Sequence, residues 1–129
     1  MGFDSVILDS SAVIAYYNTE DAHHTEALRG AEVFRNKKTV LHPFVIQEVA
    51  TVLTYRFGFR ETGQFFADIR DAGDVVIPPV QIEKDIAFFE RAGKKMSFTD
   101  LTLIRLSQEL NAPLFTFDRQ ILSFLQSMR

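Results

Sequence analysis

The sequence predicts an α/β fold in which a parallel sheet is covered by helices. Two observations carry that expectation: short β-forming runs that are apolar throughout instead of alternating, and segments between them with apolar residues every three or four positions. Strands that read as continuous apolar runs are buried on both faces, and strand–helix alternation supplies the helices that bury them.

The first run is Ser5-Val-Ile-Leu8, and a helix can begin at Ser10-Ser11-Ala12 just after it. A helical pattern over Ala22–Arg35 leads to the second run, Thr39-Val-Leu41. Two helical patterns follow, Phe44–Phe57 and Glu61–Ala72, before the third run, Asp74-Val-Val-Ile77. Gln81–Ala92 and Thr99–Leu110 are helical again, Pro113-Leu-Phe-Thr-Phe117 is the fourth run, and a last helix starts near Arg119. Gly58, Gly73 and Gly93 each follow a helical stretch as C-terminal caps do, and Pro78-Pro79 ends the third strand.

The chain of 129 residues has no repeat, no low-complexity tract and no Pro/Gly/Ser linker, so a single domain spanning residues 1–129 is expected. With 47% apolar and 24% charged residues the composition is globular, not disordered. The absence of cysteine excludes disulfides, thiolate metal sites and cysteine nucleophiles. No positive n-region precedes the first apolar run, and no run approaches the ~20 residues of a membrane span, so a soluble cytoplasmic protein is expected. A net charge of −3 supplies no bulk basic footprint, and any nucleic-acid contact must use a local patch.

Four carboxylates stand out. Asp9 and Asp118 each end an apolar strand and precede a helix, and ligands of open α/β sheets bind at such strand ends. Each Asp is equally well placed to act as a helix N-cap. Thr116 lies on the same side of its strand as Asp118, where its hydroxyl can bond a neighbouring ligand or water. Glu48 shares a helical face with Phe44, Val45 and Val52, so it is expected to point inward, where a charge requires a metal or a cationic partner. Asp100 opens a helix after Ser97-Phe98-Thr99, and the helix dipole is expected to keep it ionised. Gathered together, four such groups repel one another until protons or cations relieve them, and hard oxygen donors suit Mg²⁺ or Mn²⁺. In a two-metal site such ions activate a water and stabilise the leaving oxygen of a phosphodiester.

With those residues in view the sequence resembles the PIN-domain family, and within it the VapC-type toxins of prokaryotic toxin–antitoxin systems. The match lies in VILDSSAVIAYY, LHPFVIQEVATVL, SFTDLTLIRLSQELNAPL and LFTFDRQI, in that order, over nearly the whole chain. The resemblance implies a three-layer α/β/α fold with a parallel sheet of four or five strands and a Mg²⁺- or Mn²⁺-dependent endoribonuclease. It carries the acidic metal site onto Asp9, Glu48, Asp100 and Asp118, with one or two ions. It also implies an RNA substrate, a small antitoxin that blocks the acidic site and a homodimer. Some relatives have a further acid just after the last motif; here Arg119 and Gln120 stand there, which leaves the second ion in doubt.

Other residues are weaker candidates. His23 and His24 read as an exposed helix start, since a metal-activated water makes a histidine base unnecessary. His42, before Pro43, reads as structural. Lys94, Lys95 and Arg119 border the acidic motifs and can hold flanking phosphates, or form ordinary solvated charge. Phe59 and Phe98 are the base-stacking candidates among thirteen phenylalanines. Two rivals are weighed: a catalytically inactive partner-binding module, and a haloacid-dehalogenase-like phosphatase with Asp9 as nucleophile. The phosphatase wants a second Asp where Ser11 stands.

Overall fold

The computed structural model describes residues 4–128. In chain order the elements are β1 (Ser5–Leu8), α1 (Ser10–Tyr17), α2 (His24–Val33), β2 (Lys38–Val40), α3 (Pro43–Phe57), α4 (Phe59–Asp71), β3 (Val75–Val76), α5 (Ile82–Ala92), α6 (Phe98–Leu110), β4 (Leu114–Phe115) and α7 (Arg119–Ser127). The four strands form one parallel sheet in the order β3-β2-β1-β4.

That order creates the site. After β1 the chain adds β2 and β3 on one side and then returns to place β4 on the other, so the order reverses between β1 and β4. A crevice opens outside the carboxyl ends of the strands at such a reversal. Ile7 pairs with Leu114 and Leu8 with Phe115, and the Asp9 amide reaches the Phe115 carbonyl at 3.0 Å. The residues that follow the two strands, Asp9 and Asp118, are therefore held at one edge.

Burial explains why the strands are apolar throughout. Val6 and Ile7 are adjacent in β1, so they point to opposite faces, yet both are fully buried. Ile7 and Val40 pack with Leu103 and Leu106 of α6. On the other face Val6, Leu8 and Leu41 line a cavity of ≈ 360 Å³ with residues of α1, α2 and α4. A second cluster, Phe88, Leu101, Ile104 and Ile121, ties α5, α6 and α7 together. The layered α/β/α expectation holds, with four strands in the sheet.

Local signals place the helix ends. His42 caps α3 by accepting the Phe44 N–H on Nδ1 at 3.0 Å, and Pro43 occupies the first turn, where its missing N–H costs nothing. Burial holds the His42 ring below the usual imidazole range, which fits a neutral ring whose Nδ1 is an acceptor. Gly58 at φ 108 turns α3 directly into α4, and Gly93 at φ 58 caps α5 in the left-handed region. Gly73 departs from expectation: α4 ends at Asp71 with an extended Ala72 as its cap, so no left-handed residue is needed there.

Candidate active site

Asp9 is 3% exposed, yet it does not cap α1 with its side chain. Its Oδ2 accepts the Ser11 hydroxyl at 2.7 Å and the Thr116 hydroxyl at 2.7 Å. The two hydroxyls are themselves anchored, because Ser11 Oγ accepts the Phe117 N–H at 3.0 Å and Thr116 Oγ1 accepts the Asp118 N–H at 2.9 Å. The strand ends are thereby stitched together through side chains, and Asp9 is fixed in orientation with Oδ1 outside this network. The signal for Thr116 was legible in its spacing from Asp118; the role of Ser11 as a donor to Asp9 was not.

Asp118 is a helix cap and a member of the cluster at once. Its Oδ1 accepts the Gln120 N–H at 2.8 Å and the Ile121 N–H at 3.2 Å, satisfying the free amides of the first turn of α7. The carboxylate stays half-buried, and its charge reaches Asp100.

Asp100 opens α6, which Ser97 caps by accepting the Asp100 N–H at 3.0 Å. Its carboxyl is pushed up to about 6, first by burial, then by the negative charge of Asp9, with Asp118 and Glu48 adding smaller contributions; the bond with Ser97 opposes the rise. The expectation was that the helix dipole keeps the group ionised at neutral pH, and at about 6 it is still ionised there, although burial and repulsion raise it.

Glu48 is the clearest correction. It is exposed, not inward. The buried stripe of α3 is Val45, Val49 and Leu53, at four-residue spacing, and Glu48 lies off that stripe beside the half-buried Phe44 and Val52. It nevertheless faces the other acids, since its charge acts on Asp100. Two helices, α3 and α6, and the ends of β1 and β4 thus bring Asp9, Glu48, Asp100 and Asp118 to one edge.

None of the four forms an ion pair among the described residues. A cluster with no internal ion pair is open to an external cation, and the donors are hard oxygens throughout, so their chemistry suits a hard divalent cation. Among the described residues no group of three acidic or imidazole side chains stands ready to enclose a cation. Glu48 reaches in from solvent and Asp118 spends one oxygen on its cap.

The surroundings sort the weaker candidates. Lys94, Lys95 and Arg119 are exposed, and the Gln120 side chain donates to the Lys95 carbonyl at 2.8 Å, tying that lysine to the start of α7 beside Asp118. His24 bonds the Ala15 carbonyl at 2.8 Å and joins α1 to α2, while His23 stacks on Phe117 at 4.5 Å. Phe98 is packed between Phe44 and Phe89, whereas Phe59 is free. The ≈ 360 Å³ cavity has none of the four acids in its lining.

Sequence reasoning missed Asp85. It is buried in α5 and pairs with Arg105 of α6 at 2.6 Å. The signal was present, because Asp85 lies three, four and seven residues before Phe88, Phe89 and Ala92 on an otherwise apolar face.

The fold and the site define an α/β/α protein with an acidic edge at the strand-order reversal. The chain belongs to the PIN-domain family: the family model, PIN domain, matches residues 6–124. Among solved structures the chain is similar to Mycobacterium tuberculosis VapC20, described as a Sarcin-Ricin loop cleaving toxin. The two share 22% identity and a TM-score of 0.78, over 92% of this chain and 93% of that one. Among curated proteins no sequence matches.

Proposed function

We propose that this chain is a metal-dependent endoribonuclease and the toxin of a toxin–antitoxin pair, acting as a single nuclease domain with its active site at Asp9, Glu48, Asp100 and Asp118. The observation that carries the reading is a half-buried Asp100 whose carboxyl is pushed up first by burial and then by the charges of Asp9, Asp118 and Glu48, in a set of four acids none of which forms an ion pair among the described residues. Membership in the PIN family and the shared fold with an RNA-cleaving toxin support RNA as substrate.

The four acids would hold one or two Mg²⁺ or Mn²⁺ ions, which activate a water and stabilise the leaving oxygen of the phosphodiester. The protein's own contribution is placement. Ser11 and Thr116 orient Asp9, Ser97 caps the helix that presents Asp100, and the α7 amides fix Asp118. Lys94, Lys95 and Arg119 border that edge with positive charge for the flanking phosphates.

Partners follow from the same reading: an antitoxin that covers the acidic edge, and a second copy of the chain. Val76, Ile77, Val80, Ile82 and Ile86, at the edge strand β3 and the start of α5, are partly exposed and offer apolar surface to a second copy of the chain. No helix among the described residues is long and apolar enough to cross a membrane, and the cytoplasm is the proposed compartment.

The test is RNA cleavage with and without Mn²⁺ by the wild type, Asp9→Asn and Asp100→Asn. Both variants lose at least ~100-fold in rate, more than the loss typical of an outer-shell change. Undiminished cleavage in both refutes the reading, and a folded wild type that binds Mn²⁺ without cutting RNA favours a partner-binding module.

A further inference from the structure

At the tip where α3 turns into α4, two aromatic rings stand almost fully in solvent: Tyr55 is 85% exposed and Phe59 is 86% exposed. Single exposed apolar residues are ordinary, but two large rings flanking one tight turn are not explained by the core. Arg56 and Arg60 stand beside them, both exposed and without an ion pair among the described residues.

The tip is rigid. Gly58 makes the reversal with φ 108 in open space, and just inside it the Thr54 and Thr62 hydroxyls bond across the two helices at 2.7 Å. The rings are therefore presented by a braced hairpin.

Position relative to the acids gives the patch its meaning. Tyr55 is seven residues after Glu48 on the same helix, two turns less ~20°, so both lie on one face of α3 about 10 Å apart along its axis. Glu48, Thr51 and Tyr55 form an exposed line from the acidic edge to the tip. A strand leaving the crevice along that line meets two arginines and two free rings.

We propose that Tyr55 and Phe59, with Arg56 and Arg60, form a subsite for unpaired bases of the RNA, lying outside the cleavage site. This rests on the ribonuclease reading above. Unpaired bases stack on aromatic faces, and arginine holds the adjoining phosphates, which is the chemistry these four side chains offer. A protein partner fits the patch less well: the aliphatic strip of β3 and α5 offers such a partner apolar surface without two unpaired cations.

The chain has no tryptophan, so Tyr55→Trp introduces a single reporter at the tip. In an Asp100→Asn background without added metal, an unstructured oligonucleotide such as a 15-mer of uridine is expected to quench that emission on binding. The double variant Tyr55→Ala/Phe59→Ala binds the same RNA at least ~10-fold more weakly, while Tyr55→Phe binds as the wild type does. With cleavage-competent protein the double variant raises KM on the 15-mer and leaves kcat within about twofold. Unquenched emission at saturating RNA overturns the subsite and leaves the nuclease reading standing. A wild type that neither binds nor cuts RNA overturns both. A double variant that changes the sedimentation of the protein while RNA affinity is unchanged identifies the tip as a protein interface, and overturns the subsite as well.

Discussion

Two acidic regions of this molecule lie on opposite sides of a simple electrostatic choice. Asp85, 2% exposed, is answered from within: Arg105 meets its Oδ1 at 2.6 Å, with Gln81 and Glu109 holding the other guanidinium nitrogens. The edge at Asp9, Glu48, Asp100 and Asp118 gathers four carboxylates, none of them ion-paired among the described residues. A buried acid with its own partner is part of the frame, whereas the proposed reading makes the set of acids left without one the place for a ligand. Burial alone does not separate them, because Asp9 is nearly as buried as Asp85.

Breaking the internal pair should give the largest change in stability. Arg105→Met leaves a buried charge alone and is expected to cost about 3–5 kcal/mol in urea unfolding, while Asp85→Leu/Arg105→Met recovers most of that loss. If the single and double variants are equally destabilised, the pair is not what matters at that position. Neither change touches the acidic edge, so the double variant should retain cleavage.

A smaller effect is expected where the edge is only oriented. Thr116→Val removes the donor to Asp9 Oδ2 and the acceptor of the Asp118 N–H, and it should lower metal-dependent cleavage by ~10- to 100-fold with little change in melting temperature. Cleavage at the wild-type rate would show that Asp9 does not need this support.

The smallest predicted effect is a pH dependence confined to one side. The Asp100 carboxyl is pushed up to about 6 from its ordinary value of 3.8, first by burial, so between those values the native state holds more protons than the unfolded one. In metal-free protein stability should therefore fall as pH rises from 3.8 to about 6, and acidification should restore it. Metal-dependent activity should show the opposite trend, declining as pH falls through about 6 because protons displace the cation from Asp100. A melting temperature that rises with pH over that window in metal-free Asp85→Leu/Arg105→Met protein, but not in its Asp100→Asn derivative, would reverse the sign assigned here.

Much of the fold and of the acidic edge was legible in the sequence, whereas the internal pair was not, and the errors have one cause. Asp9, Asp118 and Thr116 follow from strand ends and the alternation of a strand, which are local, and the observed bonds agree with them. The layer order followed from apolar runs buried on both faces. Glu48 was expected inside because its helical face carries Phe44, Val45 and Val52, but the core takes the adjacent stripe of Val45, Val49 and Leu53. Asp85 satisfied the same criterion and was the acid that does lie inside. Helical spacing identifies neighbours on a face; which face meets the core is decided by the packing of other elements, and no local pattern contains that.

The same limit applies to compensation. Spacing cannot show that Arg105 of α6 answers Asp85 of α5, twenty residues away, or that none of the four acids at the edge is ion-paired among the described residues. The distinction between frame and site is a tertiary fact.

Mn²⁺ binding followed by isothermal titration calorimetry tests it most directly. Wild type and Asp85→Leu/Arg105→Met are expected to bind Mn²⁺ with the same affinity, while Asp9→Asn and Asp100→Asn each weaken it at least ~10-fold. Unchanged binding in both asparagine variants, or loss of binding in the Asp85→Leu/Arg105→Met protein while it remains folded, would contradict the assignment of the cation to the acidic edge.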